Sequence, residues 1–132
     1  MRLGICGDNC DECPRGIATR TGDAKLLAET LALWIKSGLR SQGTPVESLL
    51  CFGCASVAHC AYYTQRECAR ARNVDNCGLC ADYPCAIAKE SFRRSDATAE
   101  MCKKRCTGEE FAKLEKAFFS KKKYLDEVSK MR

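Results

Sequence analysis

The groups in this chain that could do chemistry are its cysteines: twelve among 132 residues, most of them in metal-ligand spacing. Cys10 and Cys13, Cys51 and Cys54, and Cys77 and Cys80 each form a C-x-x-C pair. Cys6 precedes the first pair, Cys60 and Cys68 lie between the second and third, and Cys85 follows the third. A C-x-x-C loop lets two sulfurs approach one ion while backbone N–H groups of its turn stabilise thiolate charge. Gly53 and Gly78 sit inside two of the loops and ease the turn. Three pairs with four further thiols nearby predict thiolate metal coordination drawn from Cys6, Cys10, Cys13, Cys51, Cys54, Cys60, Cys68, Cys77, Cys80 and Cys85.

A cross-linked secreted scaffold is the competing reading of so dense a cysteine set. It requires export, and the segment from Met1 to Cys6 has no apolar run of the length a signal sequence needs. The expectation is therefore a cytoplasmic protein whose thiols stay reduced unless a metal takes them. A structural zinc takes four ligands, so two ions are expected. The preferred partition gives Cys10, Cys13, Cys51 and Cys54 to one ion and Cys60, Cys68, Cys77 and Cys80 to the other. Cys6 and Cys85 are then spare, or replace a helical cysteine in a cross-braced arrangement. An iron–sulfur cluster is the rival cofactor, since four-cysteine ligation serves both metals, and it would make the chain a small electron-transfer or redox protein. Cys6, Cys10 and Cys13 have the C-x-x-x-C-x-x-C spacing of radical-SAM clusters, but those enzymes need a barrel that this chain is too short to build.

Other candidate groups read as structural. Cys102 and Cys106 are four residues apart and could share a helical face as a redox or third metal pair, where Lys103, Lys104 and Arg105 would lower their pKa. The plainer reading makes them two partly exposed thiols at a helix end. His59, the only histidine, reads as a surface or supporting residue beside Cys60, and a single histidine builds no convincing catalytic triad. Asp8, Asp11 and Glu12 read as solvated loop acids. Tyr62 and Tyr63 could stack on a base, but nothing in the sequence puts them beside the basic run Lys121-Lys122-Lys123, itself read as a solvated face. No catalytic constellation emerges.

The elements that must position the thiols are helical. A polar break at residues 19–23 precedes a helix capped by Asp23 or Thr21 and running to about Ser37, with Leu27, Leu31 and Trp34 on its apolar face and Gly38 as its stop. Thr44-Pro45-Val46-Glu47 reads as a capping box opening a short turn that delivers Cys51 and Cys54. Helix is expected again over residues 57–73, carrying Cys60 and Cys68, and from Pro84 to Phe92 or Arg94. A long C-terminal helix opens at the capping box Thr107-Gly108-Glu109-Glu110, with Phe111, Leu114, Phe118, Leu125 and Val128 as its stripe. The predicted fold is α-rich and small: short helices joined by C-x-x-C knuckles, with little or no β-sheet. It forms one domain over residues 1–132, comprising a metal-binding body at 4–90 and a basic helical extension at 91–132.

The formal charge of +5 resides wholly in residues 103–132, where ten Lys and Arg face five Asp and Glu. Two four-thiolate sites on divalent ions would bring the whole molecule to about +1. Charge is thus a weak argument for nucleic acid, which the basic extension could nonetheless contact. The partner is unknown, a protein being one candidate for a non-catalytic interaction module, and no segment is apolar for long enough to cross a membrane.

The ordered series Cys6-Gly7, Cys10, Cys13-Pro14, Thr19-Arg20-Thr21-Gly22-Asp23, Cys51-x-Gly53-Cys54, Cys60, Cys68-Ala69, Asn76-Cys77, Cys80 and Asp82-Tyr83-Pro84-Cys85 resembles a family of small cysteine-rich bacterial and archaeal proteins. That family is a domain of unknown function presumed to bind zinc. The likeness covers about residues 4–90, and Lys116-Ala117-Phe118-Phe119 looks like a common extension. It implies zinc binding by the matching cysteines and implies no reaction. Cys102 and Cys106 lie outside it.

Overall fold

The computed structural model describes residues 2–54, 57 and 60–132. Pro14 opens the first helix at a position where its missing N–H costs nothing. Helix α1 (Pro14–Thr21) then runs to Gly22. It absorbs Thr19–Thr21, so the polar break expected there narrows to Gly22 and Asp23. Asp23 caps α2 (Ala24–Ser37) by accepting the N–H of Leu26 at 2.9 Å, and Gly38 ends it in the left-handed region at φ 88°. The capping box expected at Thr44 does not form. Its hydroxyl donates to the Ser41 carbonyl instead, and Pro45 is extended, leaving only a 3-10 turn at Val46–Leu49.

Helix α3 (Tyr63–Ala71) is shorter than residues 57–73: Cys68 lies inside it and Cys60 before it. Asn73, at φ 56°, turns the chain toward a 3-10 turn at Cys77–Leu79. Pro84, joined to Tyr83 by a cis peptide bond, stays outside the next helix, and Cys85 is the N-cap of α4 (Ala86–Arg105). No glycine or proline interrupts residues 86–105, so α4 continues well past Arg94.

The capping box at Thr107 is complete. Glu110 N–H donates to Thr107 Oγ1 at 3.1 Å, and Thr107 N–H donates to Glu110 Oε1 at 2.9 Å. The single long C-terminal helix is instead two, α5 (Gly108–Phe118) and α6 (Lys121–Lys130). The break has a packing cause, because Phe118 and Phe119 both turn inward. Phe118 meets Trp34 edge-on at 5.5 Å, and Phe119 stacks on Phe111 at 5.9 Å. Ser120 then closes α5 by donating to the Glu115 carbonyl.

Two apolar cores result. The first gathers Ala18, Leu27, Trp34, Leu49, Cys102 and Leu114. The second gathers Ala69, Cys77, Tyr83, Ala88, Phe92 and Leu125. Helix α4 serves both, with Ala88 and Phe92 in one and Cys102 in the other. Among the described residues, extended pairing is limited to an isolated bridge between Leu3 and Asn9, and no helix is long and apolar enough to cross a membrane. The fold is α-rich, as the pattern of the sequence indicates.

Candidate metal centre

All twelve cysteines are free thiols. Eight of them fall into two sets. In the first, burial and then the charges of Cys54, Cys13 and Cys51 push the Cys10 thiol up to about 11. Helix α1 assembles this set. Cys13 is its N-cap, where burial raises the thiol and the amides of Gly16 and Arg15 pull it down, without a capping hydrogen bond. Two residues on, the Arg15 guanidinium donates to the Leu49 carbonyl and reaches those of Ser48 and Leu50. A turn beyond Arg15, Thr19 Oγ1 accepts the Cys51 N–H at 3.0 Å. The first cysteine pair is thereby tied to the segment delivering the second. Arg66, a buried residue of α3, donates to the carbonyls of Cys54 at 3.1 Å and Val57 at 2.7 Å.

The second set is Cys68, Cys77, Cys80 and Cys85. These line one largely apolar cavity of about 220 Å³ together with Gln65, Arg72 and Tyr83. Burial and the charges of Cys85, Cys68 and Cys80 raise the Cys77 thiol. Two donors face the sulfurs: Gln65 Nε2 lies 3.2 Å from Cys77 Sγ, and Arg72, paired with Asp82, lies 3.4 Å from Cys80 Sγ. Gln65 is 1% exposed, and its Oε1 has no hydrogen-bond partner among the described residues. Among the described residues it is Cys85, and not Cys60, that lines this cavity with Cys68, Cys77 and Cys80. Among the described residues no group of three or more Cys, His, Asp or Glu side chains forms a ready-made ion-holding set, so the sulfurs of each set share a neighbourhood without converging on one point.

Cys6 lies between the sets. Burial, opposed by Lys121 and reinforced by the charges of Cys54, Cys60 and Cys77, pushes its thiol up to about 11. Lys121 is not a solvated residue. It is 3% exposed, paired with Asp8, and 4.7 Å above the ring of Tyr62. This removes Lys121 from any basic binding face, makes Asp8 an ion-pair partner, and brings Tyr62 beside the run from which it looked remote. Asp11 accepts the Arg2 N–H.

Cys102 and Cys106 also differ from expectation. Cys102 is wholly buried in the first core and Cys106 is the extended C-cap of α4. Burial raises both thiols, overriding their cationic neighbours. His59 lies outside the described residues. The sequence reading missed Arg15, Gln65, Arg66 and Arg72, which hold or face the thiol sets. In sequence, nothing separates the buried Arg66 from the exposed Arg70 one turn later.

A family model described as a protein of unknown function, DUF3795, matches residues 2–90. No curated protein and no solved structure matches the chain.

Proposed function

The chain belongs to the DUF3795 family of proteins of unknown function, and we propose that it is a zinc-binding module whose role is recognition rather than turnover. The observation that carries the reading is the gathering of eight thiols into two sets of four, the first drawn from segments on either side of α2 and the second from α3 and the residues that follow it. The donor chemistry suits the metal. Each set supplies four sulfurs, with N–H donors at Cys13 in the first and at Cys77 and Cys80 in the second, and its members repel one another when ionised. A divalent cation would offset that repulsion and displace the thiol protons. Zinc would supply a cross-link, stabilising the fold by on the order of 10 kcal/mol. Cys10, Cys13, Cys51 and Cys54 would hold one ion, and Cys68, Cys77, Cys80 and Cys85 the other. A cytoplasmic protein partner is the natural counterpart of such a module.

Elemental analysis of the protein as isolated is expected to give about two zinc per chain, the number two four-thiolate sites require. Cys77→Ser is expected to lower the count to about one, whereas a metal-free, folded wild-type protein would refute the proposal. The cavity of about 220 Å³ among the second set favours one other reading, an iron–sulfur cluster with Gln65 and Arg72 donating to its cysteine sulfurs. Anaerobic purification separates the two: a brown sample containing iron and acid-labile sulfide favours the cluster, and a colourless one with full zinc favours the ion.

A further inference from the structure

We infer that α6 is a metal-dependent latch, docked when the two thiol sets are closed and released when they open. The inference rests on the metal-binding reading above. Its ground is where α6 is anchored. The Lys121 amino group is buried on Asp8, two residues from Cys6. Leu125, fully buried, covers both Gly7 and Gly78. A Cβ on Gly7, itself at φ 100°, would lie 2.9 Å from Leu125 Cγ, and one on Gly78 would lie 2.8 Å from the Leu125 carbonyl oxygen. Only glycine permits either approach. The Tyr83 hydroxyl, two residues before Cys85, donates to Asp126 at 2.8 Å, and Arg132 just beyond α6 donates to the Cys80 carbonyl at 2.7 Å. Every one of these contacts reaches the body at a cysteine or within two residues of one, and they engage both the first cysteine loop and the third pair.

A helix of ten residues does not persist alone in water, so its order depends on that footing. If an ion fixes the cysteine loops, the same ion stabilises the docked helix, and undocking must weaken the ion's binding by the same factor. Opening the sets therefore converts α6 from an ordered helix to a free segment. The freed segment is cationic, carrying Lys122, Lys123, Lys130 and Arg132, and it uncovers Leu125.

Amide hydrogen exchange on the full chain, with zinc and after chelation, tests this. Chelation is expected to abolish protection over residues 121–130 while α2 stays protected. Reciprocally, Leu125→Ala is expected to weaken zinc binding about 5- to 150-fold in competition with a chromophoric chelator, the usual range of coupling between linked sites. Should that variant fail to fold, Tyr83→Phe, which keeps the ring and removes one anchor, is expected to weaken zinc in the same direction. Zinc bound in normal amount, with α6 equally protected after its removal, overturns the latch alone. A folded protein that binds no metal overturns both the latch and the zinc reading.

Discussion

Burial and mutual repulsion govern the thiols individually. In the metal-free protein Cys6 and Cys10, each at about 11 against an ordinary value of 9.0, are neutral at pH 7. The folded state then holds their protons more tightly than the unfolded chain does. The stability this confers is intact below pH 9 and is lost as pH rises toward 11. For the well-buried Cys6 the loss is on the order of 1–3 kcal/mol. Urea unfolding of metal-free protein at pH 8 and pH 10 should show the decline, and a midpoint unchanged over that range would contradict it. Residue identity made the ligand candidates legible, because spacing alone marks a C-x-x-C pair. It misjudged Cys102 and Lys121 because basic neighbours in sequence say nothing of burial. Cys102 has Lys103 beside it yet faces Leu114 and Trp34 in the first core, and Lys121 looks like Lys122 until Asp8 and Tyr62 are brought to it from more than fifty residues away.

Among the elements, those with both a cap and a periodic stripe were readable: α2 between Asp23 and Gly38, and the start of α5 at Thr107. Those shaped by tertiary contacts were not. Helix α1 has few apolar residues, and its place is fixed by the reach of Arg15 and Thr19 toward residues 48–51. The break between α5 and α6 comes from where Phe118 and Phe119 find partners, since Ser120 alone does not stop a helix. The capping box at Thr107 carries a further contact, as Glu110 Oε1 also pairs with Lys36 of α2 at 2.6 Å. Thr107→Ala is expected to destabilise the protein by about 1 kcal/mol, measured as a shift in the chemical-denaturation midpoint. Serine at the same position should restore most of the loss; if serine performs no better than alanine, the cap contributes nothing.

On the scale of the whole molecule, thiol chemistry is unevenly distributed. The second core is built on Cys77, with Cys80 and Cys85 packed against it, whereas the first core holds together around Trp34, between α2 and α5, without any thiol from the two sets. Removing metal is therefore expected to loosen the two halves unequally. The emission of Trp34, the sole tryptophan, should keep its buried wavelength at chelator concentrations that already abolish order around Tyr83 and α6. A simultaneous red shift would show instead that the two cores melt as one. Cys102 gives this division a practical form. It is a thiol with 0% exposure, lodged where no ion is expected, so an alkylating reagent reaches it only when α4 parts from α2 and α5. The protein thus carries its own clock: the lag between modification of the other cysteines and modification of this last one measures how long the first half outlives the second.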